Sequence, residues 1–154
     1  MSLVLPRLLA LTKLLSRHWP STMQLAFYKA KGNWIDYLIR LRTGSKYSHC
    51  ELIIGSLWIS SSSRDGGVRI KRIETDLDHW DYIDVNFDSA KAIEVFCRSK
   101  GMKYDYLGVL VGRLFRTDIQ TANRYFCAEL VGEMIGIEHP YRLTPQSLFE
   151  RFSK

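Results

Sequence analysis

The chain has 154 residues, a length that suits a single domain with one hydrophobic core. Hydrophobic residues make up 46% of it and charged residues 25%, a balance that excludes a disordered or fibrous protein. The formal net charge is +6, but the cations are spread along the chain without a run of five like charges. We therefore expect no nucleic-acid partner. A basic protein that binds nucleic acid or a membrane surface stays a functional alternative with weak support.

Residues 1–22 form a leucine-rich stretch that Pro6, Arg7 and Lys13 interrupt. Its apolar runs are too short for a membrane span, and it offers no clean signal-peptide core followed by a cleavage site. We expect an amphipathic extension that docks as a short helix, with a weak membrane-surface contact as the alternative. Residues 23–154 then form the functional domain of a cytoplasmic protein.

The chain contains three cysteines, Cys50, Cys97 and Cys127, which cannot all pair within one molecule. No C-x-x-C or comparable metal-binding spacing is present. We therefore expect reduced thiols, no metal and no cofactor.

The first half of the chain predicts mostly strands. Apolar runs bounded by glycine-containing turns place strands at residues 23–30, 47–54, 57–63, 68–73 and 82–87. Gly55 and Ser56 suit a two-residue hairpin turn. Between the first two strands, Asn33 caps a helix that ends at Gly44. The expected apolar face of this helix consists of Trp34, Tyr37, Leu38 and Leu41.

The second half of the chain predicts mostly helices. One begins at Asp88 or Ser89, stops at Gly101 and has an expected apolar face of Ile93, Phe96 and Cys97. The type of the apolar segment at residues 107–115 stays open. Further helices are predicted at residues 127–135 and after Thr144, where Pro145 suits the first helical position. Strands in one half and helices in the other indicate an α+β fold on an antiparallel sheet.

Cys127 occupies a chemically favourable position in its predicted helix. Leu130, Val131 and Met134 follow it at helical spacing, so the thiol lies on the apolar face at the first turn. A helix N-terminus stabilises a thiolate, and its N–H groups can donate to the oxyanion that forms when a thiolate attacks a carbonyl. A free cysteine often only packs in the core, so Cys127 alone does not define an enzyme.

A histidine lies on the polar face of the strand at residues 47–54. Alternation places His49 and Glu51 together on that face. A turn at Gly55–Ser56 would pair Glu51 with Ser60 and His49 with Ser62, so a carboxylate or a hydroxyl could orient the imidazole. Adjacent strand residues point to opposite faces, so this stretch is not expected to bind a metal.

Five segments, in this order along the chain, resemble the circularly permuted NlpC/P60 families, which include the YiiX-like hydrolases. They are KYSHCELII at residues 46–54, SSSRDGGV at 61–68, YDYLG at 104–108, RYFCAELV at 124–131 and LTP at 143–145. The similarity spans about residues 23 to 150 and leaves the N-terminal extension uncovered.

This resemblance implies a papain-like fold, an antiparallel sheet or barrel packed against helices, in which the histidine strand precedes the cysteine helix. It implies that Cys127 is the nucleophile and His49 the general base. Members, some of them from phages, cleave or transfer acyl groups at amide, ester or thioester carbonyls, and some act on cell-wall peptides.

The resemblance leaves the third, polar catalytic group open. Relatives usually carry it on the strand after the histidine, which here offers Ser60 and Ser62. We favour Glu51, because a carboxylate can both fix the histidine tautomer and stabilise the imidazolium. We thus expect a cysteine hydrolase with a peptide or acyl substrate, and a catalytically silent binding module on the same fold is the second alternative. The oligomeric state stays open.

Overall fold

The structure is a computed structural model that describes residues 23–74, 76–106 and 123–154. The expected extension at residues 1–22 and the apolar segment at 107–115 lie outside the described residues. In chain order the elements are β1 (Met23–Tyr28), α1 (Trp34–Thr43), β2 (His49–Ile54), β3 (Leu57–Ser62), β4 (Gly67–Lys71), β5 (Trp80–Val85), α2 (Ser89–Ser99), β6 (Lys103–Tyr104), β7 (Arg124–Tyr125), α3 (Cys127–Met134), a 3₁₀ turn (Pro140–Arg142) and α4 (Pro145–Phe152). The predicted α+β class is confirmed.

One mixed sheet organises the described residues, with strand order β5-β1-β2-β3-β4-β6-β7. All neighbouring strands are antiparallel except β6 and β7, which pair in parallel. Within the described ranges the sheet is open, so the barrel form of the expectation is not observed. The exception to the antiparallel pattern is a two-residue strand that joins the edge immediately before α3.

The hairpin of β2 and β3 has the predicted register. Ile54 pairs with Leu57, and Leu52 pairs with Ile59. Gly55, the first turn residue, has a φ of 61°, which costs a glycine nothing and suits the twist of a tight hairpin. This register determines which β3 residues lie beside the histidine strand.

Two hydrophobic clusters cover the two faces of the sheet. Leu25 and Leu52 belong to the larger cluster, which includes the buried face of α3, whereas Ala26 and Ile53 belong to the smaller one with Trp58. Alternate residues of β1 and β2 thus point to opposite sides. The helix α3 packs on β2 and β3 and against α2 and α4, so its N-terminus is held at the histidine strand.

The predicted apolar face of α1 is wrong, although its caps are correct. Asn33 accepts hydrogen bonds from the first-turn N–H groups, and Gly44 ends the helix in the left-handed conformation. However, Asp36 and Ile39 are buried, while Trp34, Tyr37 and Leu41 are each about two-thirds exposed. The helix carries apolar residues on both sides, and the side that packs against the core holds Ile39 together with Asp36, whose carboxylate is bonded to Ser48 and Arg64.

The predicted face of α2 is also partly wrong. Ala92, Val95 and Phe96 are buried, whereas Cys97 is exposed. The buried stripe runs through Ala92, Val95 and Ser99, which follow one another at helical spacing, so Cys97 falls outside it.

Candidate active site

Cys127 is the first residue of α3, as predicted. Phe126 precedes the helix in extended conformation, and its N–H donates to the Glu129 carboxylate at 3.4 Å. The first-turn N–H groups of a helix have no partner within the helix, and the dipole there favours negative charge. The thiol therefore lies at the end of α3 that stabilises a thiolate. Its side chain is fully buried.

The His49 ring lies between Cys127 and Glu51. Its Nε2 atom is 3.0 Å from Oε1 of Glu51, and the ring also hydrogen-bonds with the Cys127 sulfur. Because Nε2 is engaged by Glu51, Nδ1 is the nitrogen left to face the sulfur. The structure thus brings together a thiol, an imidazole and a carboxylate in the order required for nucleophile activation.

Glu51 is itself held by a partly buried arginine that the sequence analysis did not identify. Arg69 donates from Nη1 to Oε2 at 2.7 Å and from Nη2 to Oε1 at 2.6 Å, and its Nε donates to Asp65 at 2.9 Å. The Glu51 side chain is 1% exposed and that of Arg69 is 14% exposed. Such a bidentate pair orients the carboxylate as well as neutralising it.

One sequence signal could have identified Arg69. It pairs with Ser60 on β3, and the β2–β3 register, continued by one residue beyond Leu52, places Ser60 opposite Glu51. Arginine, serine and glutamate thus lie in one row across three strands, about 10 Å from first to last. The small serine leaves room for the arginine to reach over β3.

The serine candidates have different environments. Ser60 donates to the backbone oxygen of Cys50 at 2.7 Å, and its neighbour Ser61 donates to the backbone oxygen of Tyr125 at 2.7 Å. These bonds tie β3 to the segments that carry His49 and Cys127. Ser62 lines the adjacent cavity. The described contacts therefore place Glu51, rather than Ser60, against the imidazole.

The electrostatics favour a thiolate–imidazolium pair. Burial alone would raise the pKa of the Cys127 thiol, but hydrogen bonds from Cys50 and the charge of His49 hold it well below its ordinary value. Burial alone would lower the pKa of His49, while the Cys127 thiolate and Glu51 raise it to about 9. Both shifts favour the state in which the proton resides on the imidazole rather than on the sulfur.

The charge of Glu51 is maintained despite its burial. Desolvation would raise the pKa of this carboxyl, but the hydrogen bonds from Arg69 and His49 hold it below its ordinary value. Glu51 is therefore an acceptor for the imidazolium at neutral pH. Arg69 prevents the carboxylate from taking up a proton of its own.

A cavity of about 220 Å³ reaches this cluster from the side of His49. His49, Glu51 and Ser62 form part of its wall, with Asp36 on the side of α1 and the aromatic ring of Trp80. The Trp80 ring lies 6.3 Å from that of His49. The cavity wall thus includes the imidazole, whereas the sulfur lies behind it in the core.

No model of a known protein family matches the chain, and no curated protein matches it. Over residues 23–74, 76–106 and 123–154, no group of three or more His, Cys, Asp or Glu side chains could hold a metal ion. None of the helices in those same ranges is both long and apolar enough to cross a membrane.

Proposed function

We propose that the protein is a papain-like cysteine hydrolase of the permuted NlpC/P60 type. In this proposal Cys127 is the nucleophile, His49 is the general base and acid, and Glu51 orients and stabilises the imidazolium. The substrate is an acyl compound with an amide or ester carbonyl, such as a cell-wall peptide. The observation that carries the proposal is the Cys127–His49–Glu51 chain of contacts at the N-terminus of α3.

The contacts support a two-step acyl transfer. The Cys127 thiolate attacks the carbonyl carbon, and the oxyanion takes hydrogen bonds from N–H groups at the start of α3. The His49 imidazolium then donates its proton to the departing amine or alkoxide, which leaves a thioester on Cys127. In the second step His49 takes a proton from water, and the resulting hydroxide releases the acid and the free thiolate.

Glu51 supports both steps without reacting. Its bond to Nε2 keeps Nδ1 directed at the sulfur and stabilises the charge on the ring. Because Arg69 holds the same carboxylate by two bonds, the imidazole is attached to a fixed rather than a mobile acceptor.

A second candidate is a catalytically silent binding module on the same fold. The observation that favours it is the burial of the Cys127 side chain, 0% exposed, since an acyl group must reach the sulfur. The two candidates differ in whether the sulfur reacts with small electrophiles in the native protein.

Site-resolved alkylation separates these candidates. Native protein is treated with iodoacetamide between pH 5 and 9, and the rate at each cysteine is followed by mass spectrometry. Cys97, which is exposed and outside the cluster, is the internal reference. A hydrolase should show Cys127 alkylated at pH 6, and His49→Ala should slow that reaction by roughly a hundredfold, because a thiol of pKa about 8.5 is less than 1% ionised there.

Hydrolysis provides the second readout. Native protein should cleave activated esters such as p-nitrophenyl acetate, Cys127→Ala should abolish turnover, and Cys97→Ser should leave it unchanged. If Cys127 resists alkylation over the whole pH range while the protein stays folded, the binding module is the better description.

A further inference from the structure

The outer face of α1, formed by Trp34, Tyr37 and Leu41, is exposed although it is apolar. These side chains are 68%, 63% and 64% exposed, respectively. At about 100° per residue, they lie within about 60° of one another around the helix axis. Three large apolar side chains on one helical face form a continuous patch rather than scattered exposure, and such patches mark interaction sites.

The charged side chains that α1 carries beside this patch are cationic. Arg40 and Arg42 flank it on either side within α1, and Lys31 precedes the helix. The one acidic residue of α1 is Asp36, which is buried on the opposite side and bonded to Arg64 and Ser48. An apolar stripe with cations at its borders and no exposed carboxylate in its helix fits an anionic surface.

Charge also distinguishes among the occupants of this face. Residues 1–22 contain Arg7, Lys13 and Arg17 and no acidic residue, so this segment has the same sign as the patch. A second copy of the same face would bring together like charges. An anionic lipid surface is instead attracted by the arginines and accepts tryptophan and tyrosine at the depth of its headgroups.

We propose that the outer face of α1 binds an anionic membrane surface, with Trp34, Tyr37 and Leu41 inserted at the headgroup level. The inner face of the same helix contributes Asp36 and Ile39 to the wall of the 220 Å³ cavity. Binding would therefore hold that cavity beside the lipid headgroups. The inference rests on the exposed face alone and does not require that Cys127 be catalytic.

Vesicle co-sedimentation tests this surface with the full chain. Vesicles of phosphatidylcholine with 30% phosphatidylserine are compared with vesicles of pure phosphatidylcholine, in low salt and in 0.5 M salt. We expect binding to the anionic vesicles that weakens at least tenfold in pure phosphatidylcholine or high salt. Equal binding to both vesicle types, or no binding to either, overturns the proposal.

Variants locate the contact on the protein. Trp34→Ser combined with Leu41→Ser should weaken binding at least tenfold, and Arg42→Glu alone at least fivefold, since each cation near the lipid surface contributes about a fivefold change. The matched control is Leu77→Ser, which removes a side chain that is 74% exposed and lies outside α1. It should bind as the native protein does.

Two further results are decisive. If the α1 variants bind undiminished, another part of the chain, such as residues 1–22, carries the affinity and the proposal is wrong. Arg42→Glu changes an exposed residue without removing an apolar side chain, so it tests the face even if the double variant unfolds. Cys127→Ala should bind like the native protein, which separates this inference from the proposed hydrolase.

Discussion

The Glu51–Arg69 pair allows a quantitative test of the candidate site. The Glu51 side chain is 1% exposed, that of Arg69 is 14% exposed, and bonds of 2.6 and 2.7 Å join them, so removing one leaves the other charged and without its main partner. Breaking a buried pair in this way costs about 3–5 kcal/mol, whereas replacing both members by uncharged groups costs much less. We therefore expect Glu51→Gln and Arg69→Met each to destabilise the protein by about 3–5 kcal/mol.

The double variant Glu51→Gln/Arg69→Met should lose less than the sum of the single changes, by at least about 2 kcal/mol. Urea unfolding followed by circular dichroism measures all four proteins. The control is Arg64→Met, because Arg64 donates to Asp36 at a similar distance of 2.7 Å but its side chain is 47% exposed. Solvent screening there reduces the expected loss to about 1 kcal/mol. Additive losses at Glu51 and Arg69 would refute the reasoning.

The two single variants should shift the pKa of His49 in opposite directions. Glu51→Gln removes a carboxylate that stabilises the imidazolium, so the pKa of His49 should fall from about 9. Arg69→Met removes a cation near the ring, so that pKa should rise, each by about one unit. The upper inflection in the pH profile of Cys127 alkylation reports this pKa. A purely structural pair would leave the inflection in place.

Three further predictions concern stability. Leu130→Ala, at a fully buried position on α3, should cost about 2–5 kcal/mol in urea unfolding, and a loss below 1 kcal/mol would mean that the helix repacks freely. Gly67→Ala should lower the free energy of unfolding by more than about 2 kcal/mol, because an added Cβ would lie 2.0 Å from the Met102 carbonyl oxygen. The control is Gly66→Ala, where φ is also positive but nothing lies within 4 Å of the added Cβ, so it measures the backbone strain without the clash. Burial alone would raise the pKa of Asp65, but Lys71 and Arg69 lower it to about 2. This carboxylate therefore contributes stability that is complete above its unfolded pKa of about 4 and is lost as the pH falls toward 2. Asp65→Asn should flatten the acid-induced loss of stability in that range.

Local signals in the sequence were sufficient for most of the elements that carry the site. The hairpin register followed from Gly55 and from apolar alternation, and the start of α3 followed from the spacing after Cys127. These features depend on residues that are close in the chain. The interaction of His49 with Glu51 could be predicted for the same reason, since both residues lie on one strand two positions apart.

Features that depend on distant residues were missed. The buried side of α1 carries Asp36, whose partners Ser48 and Arg64 lie 12 and 28 residues away. A count of apolar positions favoured the side with Trp34, because the sequence did not show that a carboxylate on the other side would be satisfied in the interior. Arg69 was missed for a similar reason, since its contact with Glu51 crosses an intervening strand.

The energetics of the buried cluster support a chemical rather than a purely structural role for it. A core built only for stability would replace Glu51, Arg69 and His49 by apolar side chains, since buried ion pairs rarely stabilise a fold more than good packing does. Here His49 stabilises the thiolate of Cys127, Glu51 stabilises the imidazolium of His49, and Arg69 holds Glu51 in place. Buried groups with strongly shifted pKa values beside a cavity are typical of functional sites. Unfolding data and the alkylation profile of the double variant Glu51→Gln/Arg69→Met together address this argument. If the double variant loses much less stability than the single variants while Cys127 loses its reactivity, the pair serves to activate the thiol rather than to hold the fold together.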